Sequence, residues 1–186
     1  SELDSFRGYI SSKKYIFSTK NLYVVQRGEG RLSLDFFLYK IALEEGVDFI
    51  FSYPLTKEKL KNIPENSIIA TGGYSQVVST LNLPYIIFKQ FDTHLRTDIG
   101  NITIAYFGDY TSDYGYISGK NGLVSAQLSG SYNLSKENLR RFTDLVHKTE
   151  NIKLEGWSLI VSHFPKKVKL FTKFFGKTFV LAGDVA

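Results

Sequence analysis

Between Tyr85 and Leu128 the chain reads as four strand runs, Tyr85–His94, Asn101–Tyr110, Tyr114–Ser118 and Leu123–Leu128, separated by turns containing Gly, Asp or Asn. Strand runs joined by such short turns are expected to pair antiparallel, with successive side chains on opposite faces of the sheet. The meander is the constraint around which the rest must fold.

The flanks change period. Phe6–Phe17 and Leu22–Gln26 read as the arms of a hairpin. Leu34, Phe37, Leu38, Ile41 and Ala42 recur every three or four residues, with Ser33 placed to cap and Gly46 to stop, which predicts an amphipathic helix over Ser33–Glu45. Val47–Tyr53 reads as a short strand, Lys57–Ile63 as a helical turn, and Ser67–Thr71 as an apolar strand opening into Gly72-Gly73. A second helix is predicted over Lys136–Lys148, capped by Ser135. Trp157–His163 and Thr178–Ala182 are further strands, the latter emptying into Gly183-Asp184. The expected fold class is mixed α and β (α+β): a fragment of a layered nucleotide-binding α/β domain into which an antiparallel sheet is inserted.

The chain has 186 residues, of which 43% are apolar and 22% charged, ordinary values for a folded globular chain. Aromatics reach 15%, which favours strands and a broad apolar surface or cavity. There is no cysteine, so disulfides, thiolate metal sites and cysteine nucleophiles are excluded. No apolar run approaches the roughly 18 residues of a membrane-spanning helix, and Ser1-Glu2-Leu3-Asp4 lacks the basic, apolar start of a signal peptide. A cytoplasmic protein is therefore expected. The net charge of +5 favours an anionic partner. From Lys166 to Lys177 five lysines alternate with Val168, Leu170, Phe171, Phe174 and Phe175 without an acid, a composition suited to contact with a membrane surface or to a solvated face over buried aromatics.

Two apolar strands that empty into glycine turns carry the clearest chemical signal, Ala70-Thr71-Gly72-Gly73 and Ala182-Gly183-Asp184. In open α/β sheets ligands bind beyond the carboxyl ends of strands, where glycine lets the backbone approach and a carboxylate can accept from a sugar hydroxyl. An ordinary strand end followed by a turn reads the same way. Together with Arg27, Ser33-Leu34-Asp35 and the helix that follows, and with the sheet-rich insertion between, these turns resemble the flavin-dependent geranylgeranyl reductase family of the hydroxybenzoate hydroxylase-like superfamily. The resemblance implies FAD as cofactor, with Gly183 and Asp184 at its ribityl and pyrophosphate part, Thr71 and Gly72 beside its adenosine half, and Arg27 nearby. It implies that residues 1–25 join the substrate-domain sheet, 26–75 and 166–186 belong to the FAD-binding domain, and 76–165 form the substrate domain. The family's opening strand, G-x-G-x-x-G turn and helix have no counterpart before Arg27, so the sequence reads as an internal portion of a longer flavoprotein or as a reduced relative.

In the same family an aromatic strand lines the isoprenoid cavity, which implies Tyr106, Tyr114 and Tyr116 as substrate contacts. Phe88, Phe91, Phe107 and Tyr110 extend that wall, against the commoner reading of sheet aromatics as core. Gly28-Glu29-Gly30-Arg31-Leu32-Ser33 competes as a dinucleotide fingerprint, with Ser in place of its third Gly and Asp48 as the ribose acid, or as a plain loop and N-cap. His94, His147 and His163 show no metal-ligand spacing, and no G-x-S-x-G marks a hydrolase nucleophile. No catalytic acid, base or nucleophile stands out, as expected where a flavin carries the hydride chemistry. The leading expectation is part of an FAD-dependent oxidoreductase acting on a large apolar substrate, such as an isoprenoid lipid. The alternative is a basic, aromatic, β-rich module that binds lipid or nucleic acid without catalysis, nucleic acid being the less favoured partner.

Overall fold

The computed structural model describes residues 2–11, 13–73 and 75–185. Strand β1 (Ser5–Ile10) turns back at Ser11 into β2 (Lys13–Phe17). The expected single arm Phe6–Phe17 is thus itself the hairpin, and Leu22–Gln26 contributes only an isolated bridge between Tyr23 and Glu2. Helix α1 (Leu34–Glu44) begins where Ser33 Oγ accepts the Phe36 N–H and ends before Gly46 at φ +81°. None of its residues is buried, and Phe37 and Leu38 are 60% and 52% exposed. Val47–Tyr53, expected as a strand, is irregular. Its backbone meets no partner strand among the described residues, and a lone strand leaves its amides and carbonyls unpaired.

Helix α2 (Lys57–Asn62) is capped by Thr56, and β3 (Ile68–Ile69) is a short remnant of the expected Ser67–Thr71 strand. A six-residue helix the periodicity did not predict, α3 (Ser75–Thr80), follows. Then come β4 (Tyr85–Arg96), β5 (Ile102–Phe107), β6 (Gly115–Lys120) and β7 (Leu123–Ser131). Helix α4 (Lys136–Glu150) starts with a capping box between Ser135 and Asn138 and ends at Asn151 in the left-handed region. Strands β8 (Ser158–Pro165), β9 (Phe171–Phe174) and β10 (Lys177–Leu181) complete the chain, the last running into a single 3-10 turn, Gly183–Val185.

These elements form two compact units. The first comprises Ser1–Ser52, Phe91–Leu128 and Ser135–Ser158. Its strands run in the order β2-β1-β5-β6-β7-β4. β1 lies parallel to β5, while β5, β6 and β7 form the antiparallel meander, with Thr103 opposite Ser118 and Ile117 opposite Ala126. Burial alternates along β5 and β6 as the two-residue repeat requires. Ile104, Tyr106, Ile117, Ala126 and Leu128 face inward together with Phe142 and Val146 of α4, all fully buried. Gly115 permits this packing, because a Cβ there would lie 2.5 Å from Phe142 Cε2.

The second unit comprises Tyr53–Gln90, Ser129–Leu134 and Leu159–Ala186. In it β8 lies beside the first half of β4, and a separate sheet runs β3-β10-β9. One face of that sheet buries Ile69, Phe179 and Leu181 against Leu60, Val77 and Val78. Lys177 Nζ crosses to donate to the carbonyls of Lys61 (2.6 Å) and Ile63 (2.9 Å), and so caps the end of α2.

Candidate functional site

In the second unit, β3 and β10 are parallel neighbours, with Ile68 opposite Val180 and Ile69 opposite Leu181. The pairing extends one residue further, where Ala182 N–H donates to Ile69 O at 3.0 Å. Both strands therefore leave the sheet at the same edge and in the same direction. Gly72 (φ +63°) and Gly183 (φ +68°) lie three and two residues beyond the paired Ile69 and Leu181, so the two turns are neighbours. Each takes a left-handed backbone that a β-carbon disfavours, and a Cβ on either would meet nothing within 4 Å, so the backbone is open to a ligand. Gly73 is closed instead: its carbonyl accepts from His163 N–H at 3.0 Å, and a Cβ there would lie 3.1 Å from Ser162 Cβ. Thr71 and Asp184 are exposed at the same edge. The structure thus brings together Thr71, Gly72, Gly183 and Asp184, four of the five residues expected at the cofactor.

Arg27, the fifth, lies in the first unit. Its guanidinium donates twice to Asp35, from Nε at 2.9 Å and from Nη2 at 2.7 Å, and Gly28 N–H adds a third bond at 2.6 Å. Arg27 first and Gly28 second hold the Asp35 carboxyl at about 2, well below the usual carboxylate range. This clamp fixes the loop before α1. No strand directly precedes that loop, so the competing dinucleotide-fingerprint reading of Gly28–Ser33 lacks its strand, and the plain reading as loop and N-cap holds: Ser33 caps α1 and its hydroxyl also donates to Gly28 O.

Arg27 lies on the rim of a cleft of about 640 Å³ between the segment Tyr23–Arg27 and the outer face of the sheet. The floor is built from alternate residues of the strands: Thr103 on β5, Tyr116, Ser118 and Lys120 on β6, Ser125 on β7 and His94 on β4. Thr103 and Ser118 hydroxyls are 3.1 Å apart, and Lys120 Nζ donates to Val24 O at 2.6 Å, tying the rim to the floor. The same face turns aromatic toward one end, where Tyr114 stacks on Tyr116 and touches Phe107.

Of the three tyrosines expected at the substrate, Tyr116 lines the cleft and Tyr114 extends its wall. Tyr106 does not reach it. Its side chain projects to the opposite face, fully buried between Tyr9 and Phe142, with its hydroxyl 3.2 Å from Thr149 Oγ1. The cause is parity: Tyr106 pairs with Gly115, and Tyr116 with Ala105, so the two tyrosines stand on opposite sides of the pleat. Thr103, Ser118 and Lys120 were not expected as site residues, although Ser118 and Lys120 follow Tyr116 at the two-residue spacing that puts them on its face. Among the described residues no group of His, Asp or Glu is arranged to hold a metal, and no helix is long and apolar enough to cross a membrane.

No protein-family model and no curated protein matches the sequence. Solved structures do. A geranylgeranyl bacteriochlorophyll reductase-like protein from Thermoplasma acidophilum superposes with a TM-score of 0.63 at 17% identity, over 100% of this chain and 55% of that one. A flavin-dependent brominase gives 0.62 at 12% identity over 97% of this chain, and a flavoprotein/dehydrogenase from Cytophaga hutchinsonii 0.59 at 15% over 99%. The chain spans about half the length of each, 55%. Over that span it has the mixed α and β fold these structures share.

Proposed function

We propose that this chain is part of an FAD-dependent oxidoreductase that presents a large apolar substrate, an isoprenoid lipid with a polar end, to the flavin. The observation that carries the reading is the parallel register of β3 and β10, which puts two open glycine turns side by side at the carboxyl edge of a sheet. The residues present suit a dinucleotide: two approachable backbones at Gly72 and Gly183, the Asp184 carboxylate to accept from hydroxyls, and the Thr71 hydroxyl beside them. For Arg27 the cofactor role rests on the family resemblance.

When bound, the flavin supplies hydride transfer. The first unit's residues bind and orient. The aromatic end of the sheet face, Phe107, Tyr114 and Tyr116, offers flat apolar surface to a hydrocarbon chain, while Thr103, Ser118 and Lys120 offer hydroxyls and a positive charge to a polar end. Lys120 also ties the rim segment to the floor.

At its natural length the protein carrying this chain is expected to purify with flavin absorbance near about 450 nm. Gly183→Asn tests the site itself. Asn tolerates the left-handed backbone, so the fold is kept, but its side chain fills the open space, and FAD affinity is expected to fall at least about tenfold with little change in melting temperature. A colourless protein that FAD does not reconstitute overturns the proposal.

A further inference from the structure

The positive charge of the chain is confined to one unit. Of its 23 basic and 18 acidic residues, the second unit holds nine lysines against three acids, which leaves the first unit with fourteen basic residues against fifteen acidic. Within the second unit the segment from Lys166 to Lys177 contains no acid. Lys177 is used internally at the end of α2, but Lys166, Lys167, Lys169 and Lys173 are exposed. Large apolar side chains stand exposed among them: Val168 at 81%, Phe171 at 60%, Leu170 at 58% and Phe175 at 49%. The strand explains part of this. Thr172 of β9 is buried, so Phe171 and Lys173 point to the opposite, open face of the β3-β10-β9 sheet, where Ile68 is also exposed.

We propose that this segment docks the protein on the surface of an anionic phospholipid bilayer. Lysines at the rim meet headgroup phosphates, and Val168, Leu170 and Phe171 enter the boundary with the acyl chains. Charge complementarity selects an anionic partner, and the aliphatic side chains select a membrane over a nucleic acid. Valine and leucine offer no ring on which a base can stack, whereas a bilayer buries them directly. The proposal uses neither glycine turn nor the cleft, although its strand β9 belongs to the sheet that carries the turns, so vesicle retention and flavin binding are read separately.

The test is co-sedimentation of the natural-length protein with vesicles of phosphatidylcholine alone or with about 30% phosphatidylglycerol. Retention is expected on the anionic vesicles only and should fall as salt rises. The double variant Lys169→Gln/Lys173→Gln should weaken it about 30-fold, from about fivefold per lysine. Val168→Ser/Phe171→Ser should weaken it about tenfold or more and leave the salt dependence in place. Both pairs are exposed, so unchanged melting curves are expected. Lys13→Gln/Lys14→Gln, on the first unit, should have no effect. Absent retention, equal retention on phosphatidylcholine, or an equal loss in the Lys13/Lys14 variant overturns the proposal. So does retention of single-stranded DNA that matches vesicle binding and survives Val168→Ser/Phe171→Ser, because that would assign the lysines to a nucleic acid.

Discussion

At the scale of single residues, the clamp on Asp35 makes a signed prediction. Its carboxyl sits at about 2 in the fold, held there by Arg27 and then Gly28, against roughly 4 in an unfolded chain. A carboxylate lowered in the folded state contributes fully above the unfolded value and loses that contribution as pH falls through the folded one. The loop before α1 should therefore stay closed at pH 4 and open only toward pH 2. Carbon-detected NMR titration of Asp35 reads this directly, and Arg27→Gln should return the midpoint toward the ordinary range. Two glycines give a second contrast. A Cβ on Gly115 would strike Phe142, a ring with no exposed surface and no room to move, so Gly115→Ala should cost about 1–3 kcal/mol in chemical denaturation. A Cβ on Gly8 would lie 2.9 Å from Phe17, a ring 46% exposed and free to swing, so Gly8→Ala should cost far less. The glycines were legible in the sequence, but neither neighbour was: Gly115 meets Phe142 only through the packing of α4 on the sheet, and Gly8 meets Phe17 only because Phe6–Phe17 folds back on itself.

Among the elements, helices with their own caps were legible and strands without partners were not. Ser33 and Ser135 marked the starts of α1 and α4 because an N-cap is a local hydrogen bond, complete within four residues. Val47–Tyr53 has the composition of a strand but pairs with none among the described residues, and β9, read only as a basic aromatic run, becomes a strand because β10 pairs with it from Lys177–Phe174 to Val180–Phe171. The side α1 turns to its neighbours was equally hidden. Its stripe of Leu34, Phe37, Leu38 and Ile41 is at least 39% exposed, whereas Tyr39 packs on Phe49 and Phe51. Contiguous apolar surface of this kind drives association. The isolated chain should self-associate in analytical ultracentrifugation, and Phe37→Lys/Ile41→Lys should reduce this while moving stability by no more than about 0.5 kcal/mol. Loss of folding in that variant would show that the stripe is structural in solution.

For the whole molecule, the proposed cofactor site depends on two turns more than a hundred residues apart acting on one ligand, so their substitutions should couple. Gly72→Asn and Gly183→Asn should each lower FAD affinity at least about tenfold, and the double variant should lose less than the product, since whichever side chain intrudes first already displaces the nucleotide. A full product would mean two independent effects. The sequence alone determined the material of the fold: strand runs joined by tight turns, two capped helices, and two apolar strands ending in glycine, all readable because each is marked by residues within a short stretch of chain. Tertiary structure alone decided that β3 and β10 are parallel neighbours, that Tyr106 faces the core while Tyr116 faces the cleft, and that the excess lysines gather in one unit. Those outcomes depend on which strand pairs with which and in what register, and a one-residue change of register exchanges the two faces without altering a single local preference.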